Sequence, residues 1–180
     1  MARAVREAVV TGYERTSAQD IAYGLRQLTD VAVKALSPGI NDPTTAVHAL
    51  SHSAALLCEL TGRNLSHRQI YDDDGQLRIV LARPSLGELL NLAVAQPRRY
   101  GISEPALMLR ILELLTEVAW CAQTPEEKGA VVDQLARTRL VLSQHDYDPE
   151  ELANLTDAAH AVDQALAIDS PLRSSRRGLD

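Results

Sequence analysis

The chain has 180 residues, 46% of them hydrophobic, with 24 acidic and 18 basic side chains and a net charge of −6. That is the size of one domain, which buries roughly 70% of its unfolded surface without a disulfide or metal staple. An acidic chain is poorly suited to neutralising phosphates, so non-specific nucleic-acid binding is set aside.

Phe is absent and aromatics make up 3% of the chain. The core must come from Leu, Val, Ile and Ala, which suits closely packed helices. No apolar run approaches the ~20 residues that cross a bilayer. The start, Met1-Ala2-Arg3-Ala4-Val5-Arg6-Glu7, has charges but no long apolar stretch after them, so no signal peptide is read. Cys58 and Cys121 fall in apolar helical stretches and read as reduced, buried thiols. The expectation is a soluble, cytoplasmic chain, membrane-associated if it forms part of a longer one.

In chain order, Ala4–Tyr13 reads as an extended segment, with Val9-Val10 as a candidate strand. Ser17-Ala18-Gln19-Asp20 resembles a capping box, with Ser17 as N-cap and Asp20 near the positive helix end. Ile21, Leu25, Leu28, Ala32, Ala35 and Leu36 then follow at helical spacing. Pro38 disfavours helical geometry in the residue before it, so this helix stops at Leu36 or Ser37. Gly39 is expected to turn the chain, since glycine tolerates positive φ. Asp42 caps a second helix with Pro43 at its first position, and Gly62 ends it.

Arg68–Tyr71 and Leu77–Leu81 flank Asp72-Asp73-Asp74-Gly75, a hairpin pattern. A lone hairpin is marginal in water, so it should pack on helices or gain a third strand, for which Val9-Val10 is the candidate. Ser85 with Glu88 opens a helix towards Gln96, which Pro97 kinks or ends. Arg98-Arg99-Tyr100 closes it, with cations complementing the dipole. Further helices carry Leu107–Val118, then start at Thr124-Pro125-Glu126-Glu127 and at Asp148-Pro149-Glu150-Glu151. The fold expected is mainly α, a bundle-like domain of about six helices over residues 1–169 with one hairpin at about 68–82. Residues 170–180 read as a disordered basic tail.

Arg15-Thr16, Gln19-Asp20, Gly24–Ala32 and Ala35–Ala46 together resemble a bacterial family, the predicted membrane proteins called domain of unknown function 2254. Arg99-Tyr100-Gly101 fits its pattern loosely. The resemblance is strong over the first third of the chain. It implies the soluble part of a protein whose members usually carry N-terminal membrane helices. It brings no activity, and it implies a membrane-protein partner or a membrane segment elsewhere.

Two readings of function follow. In the first, the chain is a non-enzymatic interaction or regulatory module, and its wide Ala/Leu helix faces suit a homo-oligomer. In the second, it binds a small molecule or anion at the 37–46 corner. There the free N–H groups of a helix start and the hydroxyls of Thr44 and Thr45 can hold an anion. The residues of that site are Arg15, Gln19, Asp20, Ser37, Asn41, Asp42, Thr44 and Thr45. The bland alternative is a tight corner in which Asn41 and Asp42 bond backbone groups.

No catalytic residue is assigned. The chain has no Gly-rich phosphate loop with its Lys, no Gly-x-Ser-x-Gly elbow, and no nucleophile setting around either cysteine. His48 and His52 are four apart, which suits a metal, but their helix supplies no Glu in the zincin arrangement. They read as an ordinary helix face, and no metal or cofactor is expected.

Overall fold

A computed structural model describes residues 20–63, 65 and 68–168. Among them are six helices and one hairpin, in the order α1 (Ile21–Ala35), α2 (Pro43–Leu60), β1 (Arg68–Tyr71), β2 (Leu77–Leu81), α3 (Leu86–Tyr100), α4 (Pro105–Cys121), α5 (Pro125–Leu142) and α6 (Pro149–Ala167). The mainly α architecture is the one expected. The proposed strand at Val9-Val10 and the tail at 170–180 lie outside the described residues.

α4 is the central helix. Leu107, Met108, Ile111, Leu112, Leu114, Leu115 and Val118 are fully buried. They lie on more than one face, as a helix enclosed by neighbours requires. It packs against α2 and α6 most extensively and also against α3 and α5, while α1 packs on α2 and α3. Each fully buried Leu contributes about 2 kcal/mol of transfer free energy. The core is aliphatic. Among the described residues Tyr147 is the one aromatic that joins it, its hydroxyl donating to the Ile102 carbonyl, while Trp120 on α4 is 56% exposed. Thr29 Oγ1 on α1 lies 2.9 Å from the Leu25 carbonyl and 3.1 Å from that of Leu92 on α3, joining the two helices.

The helix starts follow their caps. Ser85 with Glu88, Thr124 with Glu127 and Asp148 with Glu151 each form a reciprocal capping box. α1 departs from expectation: its N-cap is Asp20, extended at φ −140° and accepting the Tyr23 N–H at 3.1 Å. A carboxylate three residues nearer the apolar run caps it directly, and Ser17 lies outside the described residues. Pro97 does not end α3 either. The helix runs through it to Tyr100, with the Pro97 carbonyl accepting the Gly101 N–H at 2.8 Å. A proline three residues from a helix end removes one hydrogen bond, and burial of Pro97 and Arg98 holds the last turn in place.

The hairpin forms in antiparallel register, Arg68 opposite Leu81 and Ile70 opposite Ile79, with an irregularity at Ile70/Tyr71. Asp72 Oδ1 accepts the N–H groups of Asp74 and Gln76, and Gly75 takes φ +74°. The expectation that helices cover the hairpin fails. Every residue of β2 is exposed, including Leu77, Ile79, Val80 and Leu81.

Candidate functional site

The corner between α1 and α2 is built from short-range hydrogen bonds. The Ile40 and Asn41 N–H groups both donate to the Ser37 carbonyl, at 3.0 and 2.8 Å, and the Asp42 N–H donates to the Ala35 carbonyl at 2.8 Å. The residue that turns the chain is Asn41, with φ +48°, and not Gly39, whose φ lies outside the left-handed region. Asparagine tolerates that conformation better than other side chains, and the preceding turn closes without help from glycine.

Asp42 is the N-cap of α2. Its carboxylate accepts the Thr45 N–H at 3.1 Å and the Thr45 hydroxyl at 2.5 Å. These two bonds, the hydroxyl one foremost, hold its carboxyl below the usual carboxylate range. Ser37 Oγ donates to the Lys34 carbonyl at 2.7 Å, and Asn41 and Thr44 are exposed.

The predicted site residues thus divide. Ser37, Asn41, Asp42, Thr44 and Thr45 come together at the corner. Asp20 caps the opposite end of α1, roughly 20 Å away along a helix of 15 residues. Arg15 and Gln19 lie outside the described residues. His48 and His52 are exposed on α2. Among the described residues no three His, Cys, Asp or Glu side chains converge as a metal site would need.

Other polar clusters were not singled out by sequence reasoning. On the α2–α4 seam, Arg110 donates to Ser51 Oγ (3.0 Å), Glu113 Oε2 (3.1 Å) and Glu117 Oε1 (2.7 Å). Burial alone would lower the Arg110 pKa, and the bond and charge of Glu117 reverse this so that it is raised. The i, i+3, i+7 spacing of Arg110, Glu113 and Glu117 inside an apolar helix was the available signal. Farther along the seam Cys58 meets Cys121. Both are free and half-buried, less enclosed than expected. Burial, then the neighbouring Cys121, pushes the Cys58 thiol up to about 12.

Between α2 and α5, Glu127 is 8% exposed. It accepts N–H groups from Gly62 (2.8 Å), Gln123 (2.7 Å) and Thr124 (3.0 Å). Arg139 pairs with Asp163 between α5 and α6. Beside that pair lies an open pocket of about 160 Å³, lined mostly by apolar atoms of residues such as Leu142, Leu152 and Ala159.

Comparison with known proteins places the chain. The family model described as predicted membrane protein, domain of unknown function 2254, matches residues 1–117. The chain is 38% identical over 148 residues to an uncharacterised protein of Mycobacterium bovis, and equally to uncharacterised proteins of two Mycobacterium tuberculosis strains. Each match covers 82% of this chain and 28% of the relative, so the chain spans under a third of those proteins' length. No solved structure matches. No helix among the described residues is long and apolar enough to cross a membrane. The motifs of the first third and the match that extends from them to residue 117 agree: the chain belongs to the predicted membrane protein family called domain of unknown function 2254.

Proposed function

We propose that the chain is an interaction module of a larger membrane-protein assembly, and that its hairpin is the element that docks. The observation that carries this reading is the state of β1 and β2. Among the described residues the sheet has only these two strands, so the outer edge of each offers N–H and C=O groups without a ladder partner. Ile70, Ile79 and Leu81 share one face, and Ile79, Val80 and Leu81 are 42–50% exposed. A two-stranded hairpin needs more strands or a covering layer to be stable.

The occupant we assign is a second copy of the chain, pairing β2 with β2 in antiparallel fashion. Registers centred on Ile79 or on Val80 set apolar residues opposite one another, and neither sets Arg78 opposite another Arg78. Arg78 is also neutralised within its own chain by Asp72, 2.5 Å from its Nε. Such pairing yields a four-stranded sheet with a continuous apolar face, and main-chain hydrogen bonds supply affinity.

Sedimentation velocity decides it. The wild-type chain is expected to dimerise at micromolar concentration and Ile79→Lys to remain monomeric, with unchanged helical circular dichroism because Ile79 is exposed. A wild-type chain that stays monomeric to about 100 µM, a standard free energy near −5.5 kcal/mol, overturns the reading.

A further inference from the structure

Arg98 stands in the last turn of α3 and is 7% exposed. Its Nη1 donates to Gln134 Oε1 at 3.0 Å and lies 3.4 Å from Thr138 Oγ1, both on α5. Thr138 commits its own hydrogen to the Gln134 carbonyl at 2.8 Å, so its hydroxyl meets Arg98 through a lone pair. Gln134 and Thr138 are themselves buried, at 2% and 0% exposure. Two neutral groups therefore fix the plane of a buried guanidinium, and no carboxylate among the described residues pairs with it. Burial foremost, and then the charge of Arg137, lowers its pKa, while Asp133 opposes the shift.

Burying a cation against neutral partners alone is costly, because neither supplies the opposite charge that offsets lost hydration. The carbonyl end of α3 offsets a part of this. The other edge of the guanidinium, Nε and Nη2, has no protein partner among the described residues. No fully buried side-chain nitrogen or oxygen among the described residues lacks a hydrogen bond, so Nε and Nη2 are not fully enclosed. Two parallel N–H groups in one plane form the fork that takes both oxygens of a carboxylate. Beside it stands Arg137, three residues after Gln134 and tied through Nε to Asp133 Oδ2 at 3.0 Å, with both side chains 55% exposed. Two cations and one anion leave a net +1 at this spot, which suits a monoanion.

We propose that the α3–α5 face is a binding site for a small monocarboxylate, with Arg98 Nε and Nη2 taking its two oxygens and Arg137 supplying the second positive charge. Gln134 and Thr138 are positioning residues, holding the guanidinium so that its free edge faces outward. The site is separate from the 37–46 corner and from the hairpin, and does not depend on dimerisation.

The experiment is a titration of the full, isotope-labelled chain with acetate at constant ionic strength, following the arginine Nε–H resonances, with a parallel arm in inorganic phosphate. The Arg98 resonance is expected to move along a saturating curve with a dissociation constant on the order of 1–10 mM, and to move less in phosphate. Arg98→Lys keeps the charge but not the fork. It is expected to abolish the saturable shifts that acetate produces in the backbone amides around Gln134. Arg137→Gln changes an exposed side chain, leaves the fold intact, and should weaken acetate about 2- to 5-fold. An Arg98 resonance unmoved through about 50 mM acetate overturns the proposal. So does saturable binding retained in Arg98→Lys, unchanged affinity in Arg137→Gln, or a stronger response to phosphate.

Discussion

The Glu127 carboxylate reaches from the start of α5 to the end of α2, where it accepts the Gly62 N–H at 2.8 Å. Gly62 itself takes φ +72° there. The same side chain closes its own capping box with Thr124, so one residue starts a helix and secures the end of another 65 positions away. Replacing Glu127 with Ala leaves the Gly62, Gln123 and Thr124 N–H groups without their acceptor. We expect a loss of about 2–3 kcal/mol, read as a lower urea midpoint at unchanged m-value.

Gly101 follows α3 where the chain turns towards α4. A Cβ built there would lie 1.9 Å from Leu107 Cδ2 and 3.1 Å from the Pro97 carbonyl oxygen. Leu107 is fully buried, so it cannot swing into solvent to make room. Gly101→Ala should cost about 1–3 kcal/mol, seen as a fall in thermal midpoint. Gly39→Ala is the control. Nothing stands within 4 Å of its added Cβ, and its midpoint should hold or rise.

Asp42 links the corner to pH. Hydrogen bonds from the Thr45 hydroxyl and N–H lower its folded pKa below the ordinary value. A group of this kind stabilises the fold above its unfolded pKa, about 4, and the contribution fades as pH falls through the lower folded value. The urea midpoint of the wild type should therefore drop as the pH falls below about 4. Asp42→Asn, which keeps an acceptor for Thr45, should start lower and show a shallower acid limb.

Cys58 is expected to be inert. With its pKa pushed up to about 12 by burial and by Cys121, its thiolate population at pH 8 is on the order of 10³-fold below that of a free thiol near 8.5–9. Iodoacetamide labelling followed by mass spectrometry should find Cys58 unmodified in the folded chain and modified in urea.

The helix starts were legible because their signals are local. Asp42-Pro43, Thr124-Pro125-Glu126-Glu127 and Asp148-Pro149-Glu150-Glu151 each carry cap and first turn within four residues. Three features were not legible, for physical reasons. Gly39 and Asn41 both tolerate a turn, and only the closure of the Ser37 hydrogen bonds assigns the left-handed residue to Asn41. Pro97 ends a helix in isolation, yet packing against α5 carries α3 one turn beyond it. The long-range partners, Gly62 of Glu127, Gln134 and Thr138 of Arg98, and Ser51 of Arg110, lie tens of residues away and are set by which helix faces meet. Of the corner site, Ser37 and Asn41–Thr45 were placed together by their own adjacency. Asp20 was separated from them by the length of α1, a distance that spacing in a list of residues conceals.

The aliphatic core has an optical consequence. Trp120 is 56% exposed, so its indole keeps more than half of its solvent contact when the chain folds. Among the described residues Tyr147 is the aromatic ring buried when the helices close, edge-on against His145 with centroids 4.5 Å apart. Folding of this protein is therefore expected to be visible in tyrosine absorbance. The buried phenol of Tyr147, between α5 and α6, is a lamp by which assembly of the bundle can be watched.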